Sequence, residues 1–330
     1  MFRSMLKMLV AVFAVLALVG PAPAAPVELW ITFDTDPGGD IDWVERVGAS
    51  GNFIGQLTGL NGARGMAMTT DLNHVLVTNN GAAKLVRYER DSGALLDADA
   101  LNSTGGLGFA FTPIHRGSDI VIADNEGRVK RYDNAGNFLS TIVDISGGPN
   151  GASIVDMVQG PGGDLLIADA DGSGGQLYRF LASGAAHPTQ PVISAGIFGG
   201  SGPSLLAFGP DGKLYVGRPN TGEIETYTFD GSNYSLDSGF FTGGNFQAGM
   251  AFGPDGNLYL GQIAGGDADK VIVVGGPFHA TPGEQLSIFY DLTGNSGSIR
   301  RLAWIVPEPA SLALLGLGDL MMLKRHRKSA

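Results

Sequence analysis

The sequence repeats one pattern of short strands and turns along most of its length. In each copy, an apolar strand is followed by a tight turn, a second apolar strand that ends in a polar residue, a glycine-containing turn and a third strand that ends in an aromatic residue. The copies begin at Gly65, Gly108, Val155, Ser204 and Gly249. Their spacing, roughly 40 to 50 residues, is typical of the four-stranded blades of a β-propeller. The repeat therefore predicts an all-β fold of similar sheets arranged in a ring.

A sixth blade is predicted from the two ends of the repeat region. Segment 297–305 has the pattern of an inner strand, and the segment that starts at Glu28 supplies the three strands that would follow it. Pairing the two segments closes the ring and removes the free sheet edges that would invite aggregation. We therefore expect a six-bladed propeller over residues 26–305, with Trp30 and Trp304 on paired strands.

The turns and the aromatic residues agree with this architecture. FGPDG occurs at 208–212 and at 252–256, where proline presets φ and glycine supplies a positive φ for a hairpin turn. Aromatic residues recur at matching blade positions and are expected to form the core between blades, although platforms that stack on sugars would have the same pattern. These residues are Tyr88, Tyr132, Tyr178, Phe180, Tyr227 and Tyr259.

The N-terminus has the pattern of a cleavable secretory signal peptide over residues 1–25. Arg3 and Lys7 precede an apolar run, and Ala22 and Ala24 satisfy the small-x-small rule for cleavage. The apolar run is shorter than the roughly 20 residues that span a bilayer, so the alternative of a membrane anchor is less favoured.

The C-terminal segment 306–330 has three parts in a fixed order. A Pro-Glu-Pro motif is followed by an apolar stretch, 310–323, and then by a basic cluster, 324–328. The motif residues are Val306, Pro307, Glu308 and Pro309. Prolines keep such a motif extended, an apolar helix can hold it in the membrane, and basic residues stay on the cytoplasmic side.

This tail resembles the PEP-CTERM sorting signal of Gram-negative bacteria. The resemblance implies export to the cell envelope, surface or extracellular matrix, a membrane anchor before processing, and a membrane-bound exosortase-like enzyme as a partner. Asp319 departs from an ideal anchor, because a carboxylate in the middle of a membrane helix costs roughly 2.5 to 3.5 kcal/mol. Whether the tail inserts stably is therefore left open.

Over residues 28–305, the repeat resembles the NHL and gluconolactonase-like propellers. For the enzymes among them, the resemblance implies a divalent metal held by Glu, Asn and Asp at one mouth of the central channel. Polar residues at or just after the ends of the second strands are the candidates for such a metal or ligand site: Asn79, Asp124, Asn125, Asp169 and Asn220. In NHL-type repeats this Asp usually caps the next turn instead.

Two other observations bear on a metal. Aspartates in the glycine-rich turns at 34–42 and 169–175 could ligate Ca²⁺ or another divalent cation, but they lack EF-hand spacing, and solvated turns are the simpler interpretation. A lactonase would also need an early ligating glutamate, and neither Glu28 nor Glu45 lies in a recognisable motif. The sequence therefore predicts no cofactor firmly.

Composition excludes several classes of function. A net charge of −11 without a basic face argues against a nucleic-acid partner, and the absence of cysteine rules out disulfides and thiol chemistry. The favoured interpretation is an exported binding or structural propeller with polysaccharide or envelope protein as its ligand. The alternative is an extracytoplasmic metal-dependent hydrolase or lyase.

Overall fold

The structure is a computed structural model. It describes residues 27–34, 42–102, 105–147, 153–170, 175–188, 192–193, 202–218, 221–243, 247–263, 269–292 and 298–306. The predicted signal peptide and the predicted tail after Val306 lie outside the described residues. Strands dominate the described part of the chain, and a 3₁₀ turn at Asn80–Ala82 is the one helical element within it. The described residues contain no helix long and apolar enough to span a membrane.

Twenty-three strands, numbered β1 to β23 along the chain, form the sheets of the described residues. The first three are β1 (Glu28–Asp34), β2 (Asp42–Gly48) and β3 (Phe53–Leu60). Blade I contains β4 (Ala63–Met68), β5 (His74–Asn79), β6 (Lys84–Glu89) and β7 (Leu95–Asp97). Blade II contains β8 (Ala110–His115), β9 (Asp119–Asp124), β10 (Arg128–Asp133) and β11 (Phe138–Asp144).

The second half of the chain continues in the same way. Blade III contains β12 (Ile154–Gln159), β13 (Leu165–Asp169) and β14 (Gln176–Phe180). Blade IV contains β15 (Leu205–Phe208), β16 (Leu214–Arg218), β17 (Glu223–Phe229) and β18 (Tyr234–Thr242). Blade V contains β19 (Gln247–Phe252), β20 (Leu258–Gln262), β21 (Lys270–Val274) and β22 (Gln285–Asp291), and the last strand is β23 (Ser298–Ile305).

The last strand closes the ring. β23 pairs antiparallel with β1 and forms blade VI in the order β23-β1-β2-β3, with Leu29 opposite Trp304 and Trp30 opposite Ala303. The predicted six-bladed propeller and its closure by the two ends of the repeat region are therefore confirmed. Each inner strand contacts the inner strands of both neighbouring blades, in the cyclic order β23-β4-β8-β12-β15-β19.

Blade III departs from the predicted four strands. Among the described residues its sheet has three strands, and the chain after β14 adds only isolated bridges, Leu177 to Ile193 and Phe180 to Ala186. The strand pattern of the sequence ends at Phe180, and the next stretch contains two prolines, which cannot donate to a ladder. The spacing of the copies alone did not reveal this.

The core lies between the blades rather than within one of them. Six apolar clusters fill the six blade interfaces of the described chain, each built from two neighbouring sheets. The recurring aromatic residues belong to these clusters: Tyr88, Tyr132, Phe180, Tyr227 and Tyr259 are buried, and Tyr178 is partly buried. Their prediction as core is confirmed, and the sugar-stacking alternative is not supported.

Close backbone approach at the axis explains one of the small residues of the inner strands. A Cβ atom added to Gly65 on β4 would lie 1.9 Å from the carbonyl oxygen of Phe111 on β8. Only glycine fits there, because the two inner strands pack backbone to backbone. The FGPDG turns also have their predicted geometry, with φ of 76° at Gly212 and 78° at Gly256.

Candidate functional site

The second strands end at the face where the inner strands begin, which we call the upper face. Asp124 at the end of β9 is fully buried, and its Oδ1 accepts hydrogen bonds from the backbone N–H groups of Glu126 (3.1 Å) and Arg128 (2.9 Å). Its Oδ2 lies 4.0 Å from Nζ of Lys130. Burial raises the pKa of Asp124 above its usual value. The carboxylate caps the turn into the third strand, as in the structural interpretation.

The other predicted residues at this face also make local contacts. Asn79 Oδ1 accepts a hydrogen bond from the N–H of Asn61, and Asp169 Oδ1 accepts one from the N–H of Ser153. Asn220 lies outside the described residues. Asn125 N–H donates to the carbonyl of Phe109. The described residues contain no group of three His, Cys, Asp or Glu side chains placed to hold a metal ion. A metal or ligand site at these positions stays a prediction.

The aspartates of the predicted calcium turns are partly described. Asp42 accepts a hydrogen bond from the N–H of Gly62. Asp34 forms ion pairs with Arg64 (2.8 Å) and Arg300 (3.2 Å). Asp36, Asp40 and Asp171 lie outside the described residues. Two guanidinium groups beside Asp34 would oppose a divalent cation there, because like charges repel strongly at such distances.

Arg64 and Arg300 flank Asp34 in the described part of the upper mouth of the channel. The guanidinium of Arg64 lies over the ring of Phe111 at 5.4 Å. Burial lowers the pKa of Arg64, the charge of Arg300 lowers it further, and Asp34 and Asp42 act in the opposite direction.

An ion pair crosses the ring below this mouth. Arg301 on β23 contacts Asp156 on β12, with Nη1 and Oδ2 2.5 Å apart, and these two inner strands lie on opposite sides of the axis. Asp156 is fully buried and also accepts hydrogen bonds from Thr112 Oγ1 on β8 and from the N–H of Leu206 on β15. One carboxylate thus joins four of the six inner strands.

Sequence reasoning missed this pair. Charged residues at inner-strand positions were the available signal, because strands packed around an axis are otherwise apolar or small. Arg300 and Arg301 in β23 and Asp156 in β12 break that rule. Their partnership could not be inferred without the ring order of the strands.

A cavity opens at the opposite, lower face between blades I and II. Its volume is about 270 Å³, and it is lined by Asp71, His74, Arg87, His115 and Asn134, together with Thr69, Thr70, Leu76, Gly117 and Ile120. His74 and His115, which the sequence places in separate hairpin turns, meet in this cavity. Its lining residues are mainly polar, and Leu76 and Ile120 are buried beneath it.

Comparisons with known proteins extend these observations. The family model of the PEP-CTERM protein-sorting motif matches residues 306–328, which confirms the motif predicted for the tail. The motif indicates an exported protein and implies processing by an exosortase-like enzyme. No curated protein matches the sequence.

Solved structures resemble the propeller body. A chain of the nidogen/laminin complex aligns with a TM-score of 0.63 at 13% identity, over 85% of this chain and 98% of that chain. A candidate 6-phosphogluconolactonase from Bacteroides fragilis has a TM-score of 0.57 at 14% identity, over 82% and 83% of the two chains. A candidate gluconolactonase has 0.55 at 16% identity, over 76% and 87%. These likenesses confirm the propeller type and extend no further than the fold.

Proposed function

We propose that this protein is an exported binding module of the cell surface or extracellular matrix, whose ligand is an exopolysaccharide or an envelope protein. The signal peptide, residues 1–25, would be removed by cleavage at the small-x-small site that Ala22 and Ala24 form. The tail, residues 306–330, would hold the chain in the membrane until an exosortase-like enzyme processes it at the Pro-Glu-Pro motif. The propeller, residues 26–305, would then remain at the surface or in the matrix.

The observation that carries this proposal is the PEP-CTERM sorting motif at residues 306–328, which follows a propeller whose described metal-ligand candidates make local hydrogen bonds. In this protein a buried ion pair crosses the ring, and the described part of the mouth above it carries Arg64 and Arg300 on one aspartate. A closed ring with charged faces is suited to holding a ligand at its surface.

The sorting part is tested in a Gram-negative host that contains an exosortase. Changing Pro307, Glu308 and Pro309 together to alanine should leave the propeller folded and should leave the tail attached, as measured by mass spectrometry of the fractionated protein. The matched control changes Ser329 to alanine, which lies beyond the basic cluster. Normal processing and release of the triple variant would contradict the sorting role. N-terminal sequencing of the same material checks cleavage at the site of Ala22 and Ala24.

The binding part is tested with the mature protein and the matrix polysaccharide of that host. We expect co-sedimentation with the polysaccharide and no release of reducing ends or acids during incubation. Metal-dependent turnover that is lost when Asp124 and Asn125 are both changed to alanine would instead identify the hydrolase or lyase. If the protein shows neither retention by the polysaccharide nor turnover, the remaining proposed ligand is an envelope protein. Cross-linking at the cell surface would detect it.

A further inference from the structure

The cavity at the lower face contains an arginine whose position recurs in other blades. Arg87 on β6 pairs with Leu76, which is the third residue of β5. Arg46, Arg131 and Arg179 lie at the same register in blades VI, II and III, opposite Trp30, Val121 and Leu166. The residue two places earlier on each second strand faces the arginine, and it is Glu28, His74, Asp119 or Asp164.

The hairpin hydrogen bonds confirm that these positions are equivalent. The N–H of Thr69 donates to the carbonyl of His74, and the N–H of Arg116 donates to that of Asp119. The N–H of Gly160 likewise donates to the carbonyl of Asp164. His74 therefore stands where blades II and III have a carboxylate.

In blades VI, II and III the carboxylate holds the arginine. Arg46 donates from Nε and Nη2 to Glu28, both at 2.8 Å. Arg179 binds Asp164 from Nε and Nη2, at 2.7 and 2.6 Å. Arg131 binds Asp119, which Arg116 also holds. Each of these guanidinium groups is neutralised within the protein.

Arg87 has no such partner in the described part of the chain. No described carboxylate lies within ion-pair distance, and its Nε is buried without a hydrogen-bond partner. Its one hydrogen bond is a long contact from Nη2 to the carbonyl of Asn134, at 3.4 Å. A buried donor left unsatisfied is costly. Nε of Arg64 and Nε of Arg300 also lack a hydrogen-bond partner, but Asp34 holds both of those guanidinium groups, whereas no described carboxylate holds Arg87.

Polar groups of both blades surround Arg87 in the cavity. His115 Nδ1 accepts hydrogen bonds from the N–H groups of Thr70 (3.2 Å) and Gly117 (3.3 Å), so the proton of the neutral ring is assigned to Nε2. Asp71, whose Oδ2 lies 3.8 Å from Nδ1 of His74, offers an acceptor at the rim of the same cavity, and Leu76 and Ile120 are buried beneath it. An arginine for a carboxylate and an acceptor for hydroxyls together match a sugar acid.

We propose that this cavity binds a carboxylate-bearing sugar, with Arg87 as the residue that holds the carboxylate. The volume of about 270 Å³ admits one monosaccharide unit. The ligand could be a free sugar acid or one unit of an acidic polysaccharide. The assignment of a polymer as the ligand rests on the matrix role proposed above. The assignment of the cavity as a site for a sugar acid does not.

The test is isothermal titration of the mature protein with sodium galacturonate, galactose and polygalacturonate. Galacturonate should bind and galactose should not, since only the former has a carboxylate. Arg87→Gln should weaken galacturonate binding at least tenfold. His74→Asp should do the same, because it installs the carboxylate that holds the arginine in blades II and III. Tighter binding of polygalacturonate than of galacturonate would identify a polymer as the source, and equal binding a free sugar acid.

Matched variants separate charge from structure. His74→Asn has the size of the aspartate variant without its charge and should bind galacturonate like the wild type. Arg131→Gln removes the equivalent arginine of blade II, where Arg116 still holds Asp119, and should also bind normally. Thermal melting verifies that each variant is folded.

Equal binding of galactose, or unchanged binding in both Arg87→Gln and His74→Asp, would overturn the proposal. Loss of galacturonate binding in His74→Asp with intact retention by matrix polysaccharide would overturn only the polymeric source and leave the matrix role in place.

Discussion

Blades VI and I have an arginine at the same register but place it in opposite environments. In blade VI, Arg46 is enclosed: Glu28 accepts from two of its nitrogens, the carbonyl of Asp91 accepts from Nη2 at 2.6 Å, and the ring of Trp30 lies 5.4 Å away. In blade I, Arg87 faces a cavity and its Nε has no hydrogen-bond partner. One residue at the start of the second strand, Glu28 or His74, accounts for the difference.

The comparison teaches how a repeat fold acquires a site. In blades VI and III the arginine also reaches the turn between the third and fourth strands of the next blade, at Ser92 and Ser232, and Arg87 makes a longer contact of this kind, 3.4 Å to the carbonyl of Asn134. The arginine of blades VI and III therefore fastens two blades together once its charge is neutralised. In a blade that lacks the carboxylate, the charge of the arginine is available to a ligand. The other blades preserve the fold.

The largest effect is expected from Glu28→Ala. The side chains of Glu28 and Arg46 are 2% and 8% exposed, so the substitution leaves a buried guanidinium without its carboxylate. Breaking a buried pair in this way costs about 3–5 kcal/mol of the free energy of unfolding. Urea denaturation of the variant and the wild type measures it.

Arg87→Gln is the counterpart in blade I. Because Arg87 has no ion pair to lose, the free energy of unfolding should change by no more than about 0.5 kcal/mol. An equal loss of free energy of unfolding in Glu28→Ala and Arg87→Gln would show that Arg46 and Arg87 contribute equally to stability. The contrast between blades VI and I would then be wrong.

A smaller effect of opposite sign is expected from His74→Asp. The side chain of His74 is 33% exposed, so a new pair with Arg87 would be partly screened by solvent and should add about 0.2–1 kcal/mol to the free energy of unfolding. The same denaturation experiment measures it, with His74→Asn as the uncharged control. A loss of stability in the aspartate variant alone would mean that the carboxylate does not reach the guanidinium.

Much of the scaffold could be predicted from the sequence, because strands and turns follow from local patterns. The pairing of the segments that hold Trp30 and Trp304 and the burial of Tyr132 and Tyr259 required only the repeat and its closure. The signal for the blade I site was also present. Aligning the first residues of the second strands would have shown His74 among Glu28, Asp119 and Asp164.

Contacts between distant segments could not be predicted in this way. Arg301 and Asp156 are far apart in the sequence, and they meet only because β23 and β12 occupy opposite places in a ring of six. His74 and His115 belong to different copies of the repeat and share a cavity only because blades I and II are neighbours. The end of blade III also escaped prediction, since the length of a copy does not show whether its last segment pairs.

The smallest expected effect concerns pH and sharpens the contrast between the cavity and the ion-paired blades. Burial lowers the pKa of His115, the charge of Arg87 acts in the same direction, and Asp71, Asp119 and a hydrogen bond with Asn134 oppose it. The folded state thus favours the neutral ring, whereas the unfolded chain takes up a proton near pH 6.5. This contribution to stability is complete above about pH 6.5 and is lost as the pH falls through the folded pKa.

Asp119 in blade II behaves in the same direction but in a lower pH range. Burial would raise its pKa, but Arg116 and Arg131 outweigh that effect and hold the pKa below its usual value. Its contribution is therefore lost only below about pH 4. Between pH 7 and pH 5, His115→Asn should reduce the decrease in the free energy of unfolding, and Asp119→Asn should leave that decrease unchanged. Urea denaturation at both pH values tests this, and an unaltered pH dependence in His115→Asn would show that the cavity does not hold a neutral ring.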